Sequence, residues 1–438
     1  VSYFAVAATG LCVFVAFVVI TGFSGVTARF KDYIHNCYGD CVLSTKSLVG
    51  FGHYEQFVDV LESAEIVEAV SPVIKGYAQI RTISDSDEIR QRNRRANIVG
   101  IDPVAHSKVT GFGGWLGLHT DDPSVAFGAE DSNTPGCVPG AGFLFDWDPN
   151  NKKLDISEEF PQVRFEVSVF PLTARGAPLK AGLGEVSTKT FHCSDYTYTK
   201  YFSDWTVFCL PFEQTQRLCG MDSVPRRVNE LYVKFKPGVE LEAGRSEIAR
   251  LWEQYRKSKT GAKGANLLEN VRVQSWKTHN RTIVASTEIQ QTFMIVIFGL
   301  VGIIAVFIVF VVFYMIVSHK SKDIGILKSI GISNSGVLGL FMAFSLLIGS
   351  LGSLLGALCG WQFLIHIEQI HGWFKGVFDY GLSIPGEFDI EDIPNQINIG
   401  ILSIIIVSAI CACLIGALIP SWQAARKQPV EVLQVSGL

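Results

Sequence analysis

The most informative set of side chains able to do chemical work lies in the run HKSKDIGILKSIGIS, between Ser318 and Ser333. Lys320, Lys322 and Lys328 supply cations and Asp323 an anion. Ile324, Leu327 and Ile330 recur at helical spacing and form one apolar stripe on a short helix. Nothing in that combination is a nucleophile with a base beside it. Its chemistry is recognition: a basic helix with a greasy stripe is shaped to dock into a groove on a soluble partner. The plainer reading is a basic turn between two apolar segments. Enzyme signatures are missing elsewhere too. No GxxxxGK[ST] occurs to cradle nucleotide phosphates, and no HExxH or GxSxG occurs either. His35, Cys37 and Cys41 have a spacing that suggests a metal, but no second ligand pair follows nearby. The run DSDEIRQRNRR (Asp85–Arg95) reads as a solvated loop whose acids and arginines offset one another. The chain is therefore expected to be no enzyme, with no cofactor or metal of its own.

The elements that carry this run are apolar. Val1–Thr21, Thr292–Ser318, Ile332–Ile365 and Ile397–Trp422 contain no charged residue, and a bilayer crossing takes about 20 apolar residues. Four transmembrane helices follow, at 1–22, 292–318, 334–365 and 397–420, with 319–333 as a connecting cytoplasmic helix. The chain opens at Val1 inside an apolar run with no small-residue cleavage site. The first helix is thus expected to be retained and to lack a cytoplasmic lead-in. Lysines after the second helix, and Arg426 and Lys427 in a tail spanning 421–438, place those segments on the cytoplasmic side. The connection 366–396 holds six acids against Lys375 alone, which places it outside. The large segment between the first two helices then lies outside as well. With no Asp, Glu, Lys or Arg inside the four runs, an ion gradient has nowhere to couple, so energy must arrive through a partner. The formal charge of −4 in 438 residues offers no electrostatic case for nucleic acid.

Residues 23–291 are mixed in character and ample for a folded domain. Phe23, Val26, Phe30, Tyr33 and Ile34 continue a helical stripe past the first apolar run, predicting a stalk. A second stalk is expected from about Thr282 to Gln291. Two β-α-β units are predicted, Cys41–Thr45, Tyr54–Ala69 and Val73–Ile83, then Leu231–Phe235, Gly244–Lys257 and Val271–Trp276. The middle, about 110–189, reads as an inserted strand-rich subdomain. Of ten cysteines, six lie in this segment, where disulfides are permitted but their pairing is not legible. Gly352, Gly356 and Gly360 form a GxxxGxxxG series that admits a close helix, from the same chain or from a second copy. WQFLIHIEQIHGWFKGVF, starting at Trp361, suggests an interfacial segment.

Four stretches carry a family resemblance: VVITGFSGVTARFKDYI, NIVGIDP (Asn97–Pro103), SHKSKDIGILKSIGIS and IPSWQAARKQPVEVLQ (Ile419–Gln434). Together they resemble the FtsX-type permeases of ABC transporters, closest to the lipoprotein-releasing LolC/LolE branch. MacB-type efflux permeases share the last two motifs. The resemblance implies an α-helical membrane protein with four transmembrane helices and a large α+β periplasmic domain, a MacB-like core, between helices 1 and 2. It implies a bacterial inner-membrane location, a cytoplasmic ATPase dimer that binds the ATP, and a second permease, identical or related. The cargo would be a lipoprotein handed to a periplasmic carrier. Lys320, Lys322, Asp323, Ile324, Leu327, Lys328 and Gly331 match the helix that docks on the ATPase, although His319 stands where the family usually carries an acid. VFPLTARGAPLKAG (Val169–Gly182) lies where those permeases carry a carrier-docking hook, exposing Arg175, Pro178 and Lys180; an ordinary Gly/Pro surface loop is the favoured reading of its composition. Val15, Val18, Val19, Phe23, Phe293 and Ile297 are candidates for an apolar cleft that receives acyl chains, or for plain lipid-facing positions. Two other roles stay open, mechanotransmission to a periplasmic enzyme and MacB-like efflux of small molecules or peptides.

Overall fold

The computed structural model describes residues 2–83, 93–128, 134–145, 147–148, 153–154, 163–179, 186–199, 206–367, 369–370 and 399–426. The chain divides into two compact units. One holds the described residues up to Arg29 and from Ala285 onward, the other Phe30–Val284.

The first unit is helical. Among the described residues four helices are long and apolar enough to cross a membrane, by length and composition: α1 (Ser2–Tyr38), and beyond the second unit α6 (Arg281–His319), α8 (Asn334–Ile365) and α9 (Ile399–Arg426). Missing side chains let them approach. A Cβ on Gly352 would stand 2.8 Å from Thr9 Cβ, and one on Gly360 would stand 2.6 Å from the Phe17 ring. One on Gly356 would strike the Gly10 carbonyl. The GxxxGxxxG stripe is therefore filled by the chain's own first helix. Gly349 receives Cys413 of α9 in the same way, and Gly416 receives Val309 of α6. Ser345 Oγ on α8 donates to the Cys413 carbonyl at 2.8 Å, satisfying a buried hydroxyl.

The second unit is built on nine strands: β1 (Cys41–Ser44), β2 (Val67–Ile83), β3 (Asn93–Ile101), β4 (Gly136–Pro139), β5 (Arg164–Val169), β6 (Ser187–Cys193), β7 (Val207–Pro211), β8 (Glu230–Phe235) and β9 (Arg272–Ser275). Their order is β9-β1-β8-β2-β3-β7-β4-β6-β5, and β5 pairs back onto β2. The last six strands therefore form a closed ring. Strand β2 serves both halves: Val73 faces Glu230 of β8, while further along Ile74 faces Gly100 of β3 and Ala78 faces Val169 of β5. Its length of 17 residues makes this sharing possible.

Two expectations change here. The helix predicted over Tyr54–Ala69 ends at Glu62 (α2, Tyr54–Glu62), with Tyr54, Phe57 and Leu61 on its buried face. The following Ile66, Val67 and Val70 suit helix and strand periods alike. Pairing decides: Val67 and Ala69 lie opposite Phe235 and Lys234, so β2 starts six residues before the predicted Val73. The middle region keeps one small sheet to itself, Trp147–Asp148 paired antiparallel with Lys153–Leu154, but its longer strands join the main sheet. β4 pairs with β7 and β5 with β2, strands from outside 110–189, and β6 lies between β4 and β5.

The NIVGIDP stretch ends β3 and opens α3 (Pro103–Val109). Asp102 caps that helix, its Oδ1 accepting from Ala105 N at 2.8 Å, and Pro103 occupies the first helical position, where a missing N–H costs nothing. Helix α5 (Leu241–Ser258), counted after α4 (Phe212–Leu218), buries Ile248 and Trp252 against the sheet.

Candidate partner-docking site

The basic run folds as α7 (Ser321–Ser329), joined to α6 through Lys320 alone. Its end is set by Gly331, whose φ of 99° is a left-handed conformation that glycine adopts without strain. Gly331 N donates to Lys328 O at 3.0 Å, and Ile332 N reaches back to Leu327 O at 3.2 Å. That pair of bonds is a Schellman stop. Two residues on, Ser333 caps α8, its hydroxyl accepting from Gly336 N at 3.2 Å. The sequence SIGIS thus ends one helix and starts the next within five residues.

The stripe expected on α7 divides between two faces. Ile324 is 2% exposed and packs with Val317, Val337, Phe341, Ala424 and Ala425. Gly325 is buried beside it, and Leu327 is half-buried. Lys328 Nζ donates to the Ala425 carbonyl at 2.6 Å, satisfying an acceptor in the last turn of α9. Ile324 and Lys328 therefore anchor α7 to its own bundle and do not point outward. A nine-residue helix holds too little hydrogen bonding to stand alone, so its first apolar residue is spent on this anchor.

What faces outward is a different set. Ile330 is 77% exposed, Ile326 50% and Ile332 40%. Ile326 and Ile330, four apart, share a face. Lys320 and Asp323 pair at 2.9 Å on the exposed side, and Lys322 lies within α7. Sequence reasoning missed Ile326 and Ile332, because the stripe through Ile324, Leu327 and Ile330 fitted one helical face just as well. The signal against it was Gly331: past a left-handed residue, position 332 no longer follows the helical period.

The other predicted positions are scattered. Val15 and Val19 are exposed on α1, Val18 packs beside Val13 and Phe17, and Phe23 is half-buried. Phe293 and Ile297 are exposed on α6. Arg175 and Pro178 are exposed on a tight loop in which Thr173 N donates to Ala177 O at 2.8 Å and Leu179 N to Pro171 O at 2.8 Å. Lys180 lies outside the described residues, as do the 371–396 part of the acidic connection and the tail from Lys427. Buried Arg227, which sequence reasoning passed over, holds the base of this loop: its guanidinium donates to Leu172 O at 3.1 Å, Val49 O at 2.8 Å and the Gly220 carbonyl. Burial pushes its pKa down, and the nearby Asp222 charge offsets that only in part. Among the described residues no group of three His, Cys, Asp or Glu side chains is placed to hold a metal. His35 is engaged by Asp40 at 2.8 Å.

Residues 295–429 match the FtsX-like permease C-terminal family. The chain is 29% identical over 162 residues to the lipoprotein-releasing system transmembrane protein LolC of Xylella fastidiosa strain Temecula1, covering 37% of this chain and 39% of that protein. It is 27% identical over the same length and coverage to LolC of Neisseria meningitidis serogroup B. With LolE of Haemophilus influenzae it shares 23% identity over 161 residues, again 37% and 39% of the two chains. The matches thus span about two fifths of these relatives' length. Among solved structures, the periplasmic region of MacB from Actinobacillus actinomycetemcomitans aligns over 57% of this chain and 95% of its own at 11% identity and a TM-score of 0.30.

Proposed function

We propose that this chain, whose residues 295–429 form an FtsX-like permease domain, is the membrane subunit of an ATP-driven complex in the bacterial inner membrane. In this reading a separate cytoplasmic ATPase binds and hydrolyses the ATP and docks on α7. A second permease, identical or related, completes the pair. The sheet unit lies in the periplasm, and α1 and α6 carry motion to it. The cargo is a lipid-anchored protein, drawn past the apolar residues Val15, Val18, Val19, Phe23, Phe293 and Ile297 and passed to a carrier at the loop bearing Arg175, Pro178 and Lys180.

One observation carries the reading. Ile326 on α7, Ile330 at its capped end and Ile332 just beyond it stand exposed, while the helix is pinned on its other side by Ile324 and Lys328. A rigid mount with an apolar outer face is what a partner needs in order to push on a membrane subunit. The test is purification of the full chain from membranes, as wild type and as Ile330→Asp, with mass spectrometry of retained proteins. Burying a carboxylate in the docked interface is expected to weaken ATPase retention roughly thirtyfold, equivalent to about 2 kcal/mol. An ATPase and acylated lipoproteins in the wild type, with the ATPase lost in the variant, support the reading. An ATPase accompanied by a cell-wall enzyme and no lipoprotein replaces lipoprotein release with mechanotransmission. Absence of any ATPase overturns both.

A further inference from the structure

Where α1 ends in the sheet unit, the strands enclose a cavity of about 470 Å³ to which the permease reading assigns no role. Its floor is an ion pair, Lys75 Nζ to Glu230 Oε2 at 2.7 Å. The two ends of that pair see different surroundings. The Lys75 side chain keeps 36% of its exposure, whereas Glu230 keeps 9% and lies against His279, whose Nε2 is 3.8 Å from Oε1. Both side chains line the cavity, and Lys75 is the more exposed of the two.

Both groups stay ionised. Burial alone would lower the lysine, but Glu230 and Tyr38 outweigh it and hold the ammonium above its usual range. Burial would raise Glu230, but Lys75 and His279 outweigh it and hold the carboxylate below its usual range. Lys75 Nζ also sits 5.2 Å from the centroid of the Tyr38 ring and 5.7 Å from that of Tyr232, which fixes it without neutralising it. His106, also in the lining, is kept uncharged, its pKa pushed down to about 3 by burial and then by Lys75. The charged side chains of the lining are Lys46, Lys75 and Glu230, a balance of one positive charge. Tyr38, Phe112 and Trp115 are among the aromatic residues of the same lining.

We propose that this cavity binds a small amphipathic carboxylate, its anionic end on Lys75 and its flat apolar body against Tyr38, Phe112 and Trp115. A concave, mostly apolar site with a few placed polar groups is the usual form of a small-molecule pocket. The internal partner Glu230 keeps the lysine charged while the site is empty, so binding an anion requires no protonation step. The exposed amide of Asn97 lies at the lining and sees whatever enters.

The test uses the full chain in lipid nanodiscs, titrated with a fluorinated naphthoate and read by fluorine NMR, with empty nanodiscs subtracted for partition into lipid. The matching naphthamide has the same shape and no charge. Saturable binding of the acid, with the amide weaker by about tenfold or more, is expected from a hydrogen bond to a charged donor. The double variant Lys75→Met with Glu230→Gln removes the pair without stranding a buried carboxylate, and is expected to bind acid and amide alike. Should that variant fail to fold, Asn97→Asp changes an exposed side chain and is expected to repel the acid while leaving the amide unaffected. No saturable binding, equal affinity of wild type for acid and amide, or an acid affinity untouched by Asn97→Asp overturns the proposal. The assay requires neither an ATPase nor a lipoprotein, so its failure leaves the permease reading standing.

Discussion

Acidification tests the interior of the sheet unit through a single side chain. His106 is buried on α3, with Nδ1 3.0 Å from Ser71 Oγ and its ring 5.7 Å from that of Phe112. Burial, followed by the nearby Lys75 charge, lowers its pKa from 6.5 to about 3. A group lowered on folding contributes stability that is fully present above its unfolded value and is lost as the pH falls toward its folded value. The window therefore opens near 6.5 and runs down to about 3. At about pH 5 the unfolded imidazole is mostly protonated and the folded one is not, a difference of roughly 1.5 pH units, or about 2 kcal/mol. For a unit of this size that corresponds to a midpoint lower by about 4–8 °C. His106→Gln retains a group able to bond Ser71 but does not titrate, so it removes this component while other carboxylates and His279 titrate as before. The assay is thermal unfolding of wild type and variant near pH 7 and near pH 5, followed by tryptophan fluorescence. Wild type should lose the larger part of its midpoint on acidification. Parallel losses in the two proteins would refute the assignment of this stability to His106.

Three further outcomes follow from the packing. Gly356→Leu drives a side chain into the Gly10 carbonyl and should lower the thermal stability of the detergent-solubilised chain by about 1–3 kcal/mol or more; Gly339→Leu on the same helix meets nothing within 4 Å and serves as the silent control. Arg227→Met leaves the carbonyls of Val49, Leu172 and Gly220 without their donor, at about 1–3 kcal/mol for each buried group. Hydrogen exchange at Thr173 and Leu179 should accelerate first, and unchanged exchange there would show that Arg227 does not hold this loop. Burial pushes the Cys41 thiol up to about 12, so iodoacetamide at about pH 8.5 should label it only in denaturant. Rapid native labelling would contradict its place inside β1.

Much of the architecture was legible because long uncharged runs admit few alternatives. The four apolar helices are of this kind, and so are Cys41–Ser44, Glu230–Phe235 and Leu241–Ser258, each within a few residues of its expected place. The failures lie where local pattern underdetermines pairing. Ile66–Val70 satisfies helical and strand periods together, and only the partner strand β8 distinguishes them. The ring was hidden for the same reason: β5 closing on β2 joins residues some 90 apart, and no local spacing records that. Lys75 was a further unexploited signal. A lone cation in the apolar strand VSPVIKGYAQI has to find an anion or a cavity, and here it finds both.

The short helix α7 shows why a stripe read from sequence overstates a docking face. Three apolar residues at helical spacing fix a face but leave open which body that face meets. Between two long apolar helices the nearest body is the chain's own bundle, and Ile324 is already committed to it, together with the Lys328 ammonium on Ala425. What is left for a partner must come from residues that the bundle cannot reach. Those are Ile326 on the outer side, Ile330 at the capped end and Ile332 beyond the left-handed Gly331. Anchor and contact are then separable by mutation. Ile324→Ala is expected to cost about 2–5 kcal/mol of stability by opening a cavity in the Phe341–Ala424 cluster. Ile330→Asp should leave stability within about 0.5 kcal/mol, as exposed substitutions do, and act on partner retention alone. If Ile330→Asp lowered the melting temperature as far as Ile324→Ala, α7 would have no free face, and force from a partner would have to enter the membrane unit elsewhere.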